Sequence, residues 1–121
     1  RRPRWTLVIW ESSGVNMHTQ DSLSTEYVRA VIGTTPAADP TADNVQMAFP
    51  VTGVEPVSGD WKSATWETDS STSPSTYYVR CLVGPGVGAV VTLTSGLYDV
   101  YVKVTDNPEI VVRNTGALAI L

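Results

Sequence analysis

The stretch "LTSGLYDVYVKV", residues 93–104, decides the fold. From Tyr98 onward it alternates strictly: Val100, Val102 and Val104 on one side, Asp99, Tyr101 and Lys103 on the other. Period-two alternation is the mark of a strand with one buried face and one wet face. The same period recurs along the chain. Strands are predicted at 4–10, 26–33, 44–49, 61–66, 76–83 and 98–105. A last strand is predicted over 109–113 and 117–121, with a turn at 114–116, and a short extra one at 90–93. Helical spacing is nowhere sustained.

The connections are full of breakers. "TTPAADPTAD" (34–43), "VTGVEPVSGD" (51–60), "TDSSTSPS" (68–75) and "GPGVG" (84–88) all carry residues that end strands and make turns. About seven short strands separated by such turns read as an antiparallel β-sandwich or barrel. Tyr98 then acquires a role. In immunoglobulin-like sandwiches a tyrosine at the start of the sixth strand bonds back to upstream backbone, two residues before a core position. Tyr98, led in by Gly96 and followed by Val100 at that core position, matches this corner with apolar packing in place of a disulfide. The expected fold is therefore all-β: an immunoglobulin-like antiparallel β-sandwich. Residues 1–25 would form an N-terminal arm and first strand, and 26–121 the sandwich proper.

At 121 residues the chain is one domain by length. The net charge of −4 is dispersed, and the only basic cluster is Arg1, Arg2 and Arg4. Nucleic-acid binding, which needs clustered cations to neutralise phosphates, is not expected. No apolar run of about 18 residues is present, so no membrane-spanning helix is expected. A single cysteine, Cys81, cannot form an internal disulfide, and its alternation with Tyr77, Val79 and Val83 makes it a buried thiol.

Catalytic signals are weak. His18 is the only histidine, and no G-x-S-x-G elbow exists. "GPGVG" lacks the Lys-Ser/Thr of a phosphate loop. One His and one Cys leave little for a zinc site. Asp106 and Glu109 in "TDNPE" (105–109) could offer oxygens to calcium, but Asp-Asn-Pro reads better as a turn. The expectation is a non-enzyme with no cofactor, no metal and no small-molecule ligand.

The tryptophans are spaced W-x4-W twice, at Trp5/Trp10 and Trp61/Trp66. An odd separation puts the members of each pair on opposite faces of a regular strand. One of each pair would then fill the core and the other would face outward, available to a protein interface or a sugar ring. Tyr78 and Tyr101 are also expected outward.

Read in order, "EYVRAVIG", "DPTADNVQMAF", "SGDWKSATW", "YYVRCLVGPG" and "GLYDVYVKVTDNPEIVVRNTGALAI" resemble a family of small virion proteins from long-tailed bacteriophages of actinobacteria. The resemblance covers roughly residues 26–121. It implies a structural part of the phage particle, made in the host cytoplasm and carried on the capsid surface. The role so implied is a capsid decoration (cement) or minor capsid subunit, whose partners are the major capsid protein and copies of itself. Arg2, Arg4, Trp5, Trp10, Trp66, Tyr78 and Tyr101 are the expected contact residues; Tyr98, Gly96 and Val100 are the expected structural ones. A tail, head–tail junction or baseplate component is the alternative within the particle. A carbohydrate-binding module touching the host surface is the alternative from another class.

Overall fold

The computed structural model describes residues 6–10, 17–35, 39–73, 75–106 and 109–121. Alternating and β-branched segments form nine strands among these residues: β1 (Thr6–Trp10), β2 (Met17–Gln20), β3 (Glu26–Thr35), β4 (Asn44–Ala48), β5 (Lys62–Ser63), β6 (Thr65–Asp69), β7 (Thr76–Val83), β8 (Gly96–Asp106) and β9 (Glu109–Ile120). They make two sheets, ordered β1-β3-β7-β6 and β2-β9-β8-β4-β5. The strand order is that of an immunoglobulin-like sandwich, A-B-E-D facing G-F-C, with β2 and β5 added at the edges of the second sheet.

The expected alternation of β8 holds. Val100, Val102 and Val104 are buried, and Asp99, Tyr101 and Lys103 lie on the outer face. Opposite them stand Val28, Ala30 and Ile32 of β3 and Val79, Cys81 and Val83 of β7, all buried in the same cluster with Met47 and Leu118. At the start of β8 the Tyr98 hydroxyl donates to the Thr94 carbonyl at 2.7 Å, which closes the tyrosine corner. Gly96 reaches φ +155°, a conformation rare for L-residues, and lies against the Tyr98 ring.

Four details differ from the sequence reading. First, 61–66 is not one strand. β5 pairs with β4 in one sheet and β6 with β7 in the other, so the chain changes sheets at Ala64. Second, β9 is continuous. Segment 114–116 is not a turn but a bulge: Val100 pairs with Gly116 and Tyr101 with Asn114. The extra residue, Thr115, turns inward, is buried, and donates its hydroxyl to the Val100 carbonyl at 3.1 Å. Third, β2 was not anticipated, and its pairing with β9 is parallel. Its last residue, Gln20, is buried and donates its side-chain amide to the Val83 carbonyl at 2.7 Å and the Ser24 carbonyl at 2.9 Å. That amide ties the β2 edge of one sheet to β7 of the other. Fourth, segment 90–93 makes only an isolated bridge, Val91 to Val83.

The glycine-rich "GPGVG" segment has a packing reason. A Cβ on Gly84 would overlap the Ser24 carbonyl oxygen, and the Gly86 amide donates to Thr25 Oγ1 at 2.8 Å. The loop after β7 is thereby pressed onto the loop before β3.

Tyr98→Phe keeps the ring in the core and loses the hydroxyl's bonds to the Thr94 carbonyl and the Thr94 hydroxyl. Thr94 is exposed, so its carbonyl regains water. The expected cost in urea unfolding is about 1 kcal/mol, with the native fold retained.

Candidate interaction surfaces

With β3 and β7 turning their even- and odd-numbered apolar residues inward, their other residues build the outer face of the first sheet. Arg29 and Arg80 sit directly opposite each other in the ladder. Two guanidinium groups side by side need a counter-charge, and Glu67 of β6 supplies it. Arg29 Nε is 2.7 Å and Arg80 Nη1 3.4 Å from Glu67 Oε1. The bond from Arg29, with the charge of both arginines, holds the Glu67 carboxyl below the usual carboxylate range. The Arg80 guanidinium also stacks 4.1 Å above the Tyr27 ring. Beside this network lies a shallow depression of about 350 Å³ lined by Arg29, Glu67, Thr68, Asp69 and Tyr78.

The outer face of the second sheet is built differently. Lys103 Nζ lies 4.4 Å from the Trp61 ring centre. Tyr101 is half-buried next to it on β8, and Ile110 and Val112 of β9 are exposed on the same face, opposite Thr105 and Lys103.

The structure does not bring the expected contact residues into one place. Tyr78 is on the outer face of the first sheet and Tyr101 on that of the second. Trp66 points between the sheets: it is paired with Val79, packs against the core, and donates its indole N–H to the Asp43 carbonyl at 2.9 Å. Its expected outward position fails because β5 and β6 are separate strands, so the odd-spacing argument has no regular strand to act on. Trp61 and Trp66 are both half-buried. Arg2, Arg4 and Trp5 lie outside the described residues, and of Trp10 only the strand position is described. Tyr27, Arg29 and Arg80 were missed. Their signal was present in "EYVRAV" and "YYVRCL", where aromatic and Arg fall on the polar side of each alternation.

Cys81 is buried, and burial pushes its thiol up to about 11, so it stays protonated at neutral pH and donates to the Ser63 carbonyl at 3.3 Å. His18 Nε2 is 3.4 Å from Glu26 Oε1 in a half-exposed contact. Among the described residues, no three His, Cys, Asp or Glu side chains are grouped as a metal site would need; residues 107 and 108 of the "TDNPE" stretch lie outside them. No helix is long and apolar enough to cross a membrane among the described residues. Compared with protein-family models, curated proteins and solved structures, the chain finds no match.

One carboxylate is set apart. Asp43 Oδ2 is shielded and has no hydrogen-bond partner among the described residues. Burial, with the nearby charge of Asp106, raises its carboxyl to about 6. A raised carboxyl means the native state holds the proton more tightly than the unfolded chain. Stability therefore falls as pH rises from about 4 through 6. Asp43→Asn is expected to remove this decline. Its unfolding free energy in urea should match the parent's near pH 4 and exceed it at pH 8 by about 1 kcal/mol after allowance for partial exposure.

Proposed function

We propose that the protein is a non-enzymatic structural protein of a bacteriophage particle, a capsid decoration or minor capsid subunit bound to the lattice of the major capsid protein. Its action would be mechanical: to bridge neighbouring capsid subunits and resist the pressure of packaged DNA. The setting rests on the resemblance of residues 26–121 to small phage virion proteins. The protein-binding part rests on one observation, the outer face of the first sheet. There Tyr27, Arg80, Glu67 and Arg29 are already locked to one another, with Tyr78 beside them. Tyrosine and arginine are the side chains that dominate protein interfaces, and holding them in place beforehand lowers the entropy lost on docking. On a symmetric shell, many such contacts of modest strength add up through multivalency.

The deciding measurement is copy number in purified particles, by quantitative mass spectrometry against the major capsid protein. A decoration subunit is expected on the order of hundreds of copies, as the shell's symmetry requires. A few dozen or fewer would move the protein to the tail, neck or baseplate. Absence from the particle would overturn the virion reading and leave glycan binding by the Tyr78 face to be tested. In a particle-binding assay, Tyr27→Ala with Tyr78→Ala is expected to weaken attachment at least tenfold, about 1.4 kcal/mol, with unfolding unchanged in cooperativity.

A further inference from the structure

One end of the sandwich differs sharply from the other. The loops β2–β3 (21–25), β4–β5 (49–61) and β7–β8 (84–95) converge there with the end of β9. They are tied together: Ser22 N–H to the Leu121 carbonyl at 3.0 Å, Thr52 N–H to the Leu97 carbonyl at 3.2 Å, and Gly86 N–H to Thr25 Oγ1 at 2.8 Å. Most of the exposed large apolar side chains among the described residues are on this pole. Leu23 comes from the first loop and Val51, Val54 and Val57 from the second. Val87 and Val90 come from the third, beside Leu97 and Leu121. Together these are eight of eleven. Such clustering on one end marks a binding surface more than scattered exposure does.

The pole is also of one sign. Segments 21–25, 49–61 and 84–99 hold Asp21, Glu55, Asp60 and Asp99 and no Lys or Arg. Two copies meeting pole to pole would oppose like charges. The complementary chemistry lies at the other end of the same chain. Residues 1–5, "RRPRW", carry three of its eight basic residues and a tryptophan. Thr6 pairs with Thr35, so this segment joins the fold at the far end of β3 from the apolar pole. β3 has ten residues, which places the two ends roughly 30 Å apart. Five extended residues reach at most about 18 Å. The segment cannot reach the pole of its own molecule.

We propose that the acidic, apolar pole of one copy receives the basic N-terminal segment, residues 1–5, of a second copy, joining copies head to tail. Arg1, Arg2 and Arg4 pair with carboxylates of the pole's loops, and Trp5 is the apolar anchor among the exposed valines and leucines. The contact is heterologous, so each copy keeps one free segment and one free pole until a ring closes or a chain ends.

The test is sedimentation velocity on the full chain over a concentration series, at about 0.05 M and about 0.5 M NaCl. The expected result is concentration-dependent association that weakens about tenfold at the higher salt. R2E/R4E and V54D/V57D, each checked for a native thermal transition, are each expected to be monomeric. Mixed in equal amounts they are expected to form a dimer, because one retains an intact pole and the other an intact N-terminal segment. A parent protein that stays monomeric to about 1 mM, association that survives R2E/R4E, or a mixture that stays monomeric would each overturn the proposal. The readout needs no phage particle, so its failure and that of the virion assignment are separately visible.

Discussion

The fold depends on the burial of one face of β8. This strand is interior to its sheet, flanked by β9 and β4, and its inner face of Tyr98, Val100, Val102 and Val104 supplies the centre of the core. Because side chains alternate with period two, a slip of one residue would drive Asp99, Tyr101 and Lys103 inward and expose the valines. Burying those charges unpaired would cost far more than any alternative register could return. The Tyr98 hydroxyl on the Thr94 carbonyl holds one end of that register. The Thr115 bulge holds the middle by letting β9 absorb an extra residue without losing its pairing.

With the inner faces committed, function is left to the outer faces, the edges and the ends. The two outer faces use the same device, a cation laid over an aromatic ring, but in different company. Arg80 over Tyr27 belongs to a shared-carboxylate network that orders three strands at once, β3, β6 and β7. Lys103 over Trp61 covers the chain just before β5, beside exposed Ile110 and Val112. The first face is polar and pre-ordered. The second is more apolar and less tightly braced.

The two ends of the sandwich differ in apolar surface, while both carry acidic side chains. At one end burial, with the charge of Asp106, raises the Asp43 carboxyl, and β1 begins at the same end, where Thr6 pairs with Thr35. At the other, the loops carry acids and exposed apolar side chains and no Lys or Arg.

Much of this was legible in the residues. Strict alternation in 98–104, 26–33 and 76–83, together with breakers between them, specified the β-sandwich, its inner face and the tyrosine corner. Those features are local, because each strand's burial is written in its own period. What escaped were features written in no single segment. "MHTQ" has no apolar alternation, and it is a strand only because β9 offers a free edge and Gln20 finds the Val83 carbonyl across the core. "WKSATW" looks like one strand, and only the competition of two sheets for its backbone splits it at Ala64 and turns Trp66 inward. The Arg29–Glu67–Arg80 network joins residues distant in sequence, and the apolar pole joins three loops. The sequence by itself determined which apolar residues of the alternating strands are buried, since their periodicity needs no partner to be read, but not the burial of Gln20, Thr115 or Trp66. Which exposed residues become neighbours was decided only in the tertiary structure, because strand order and sheet crossing set those distances.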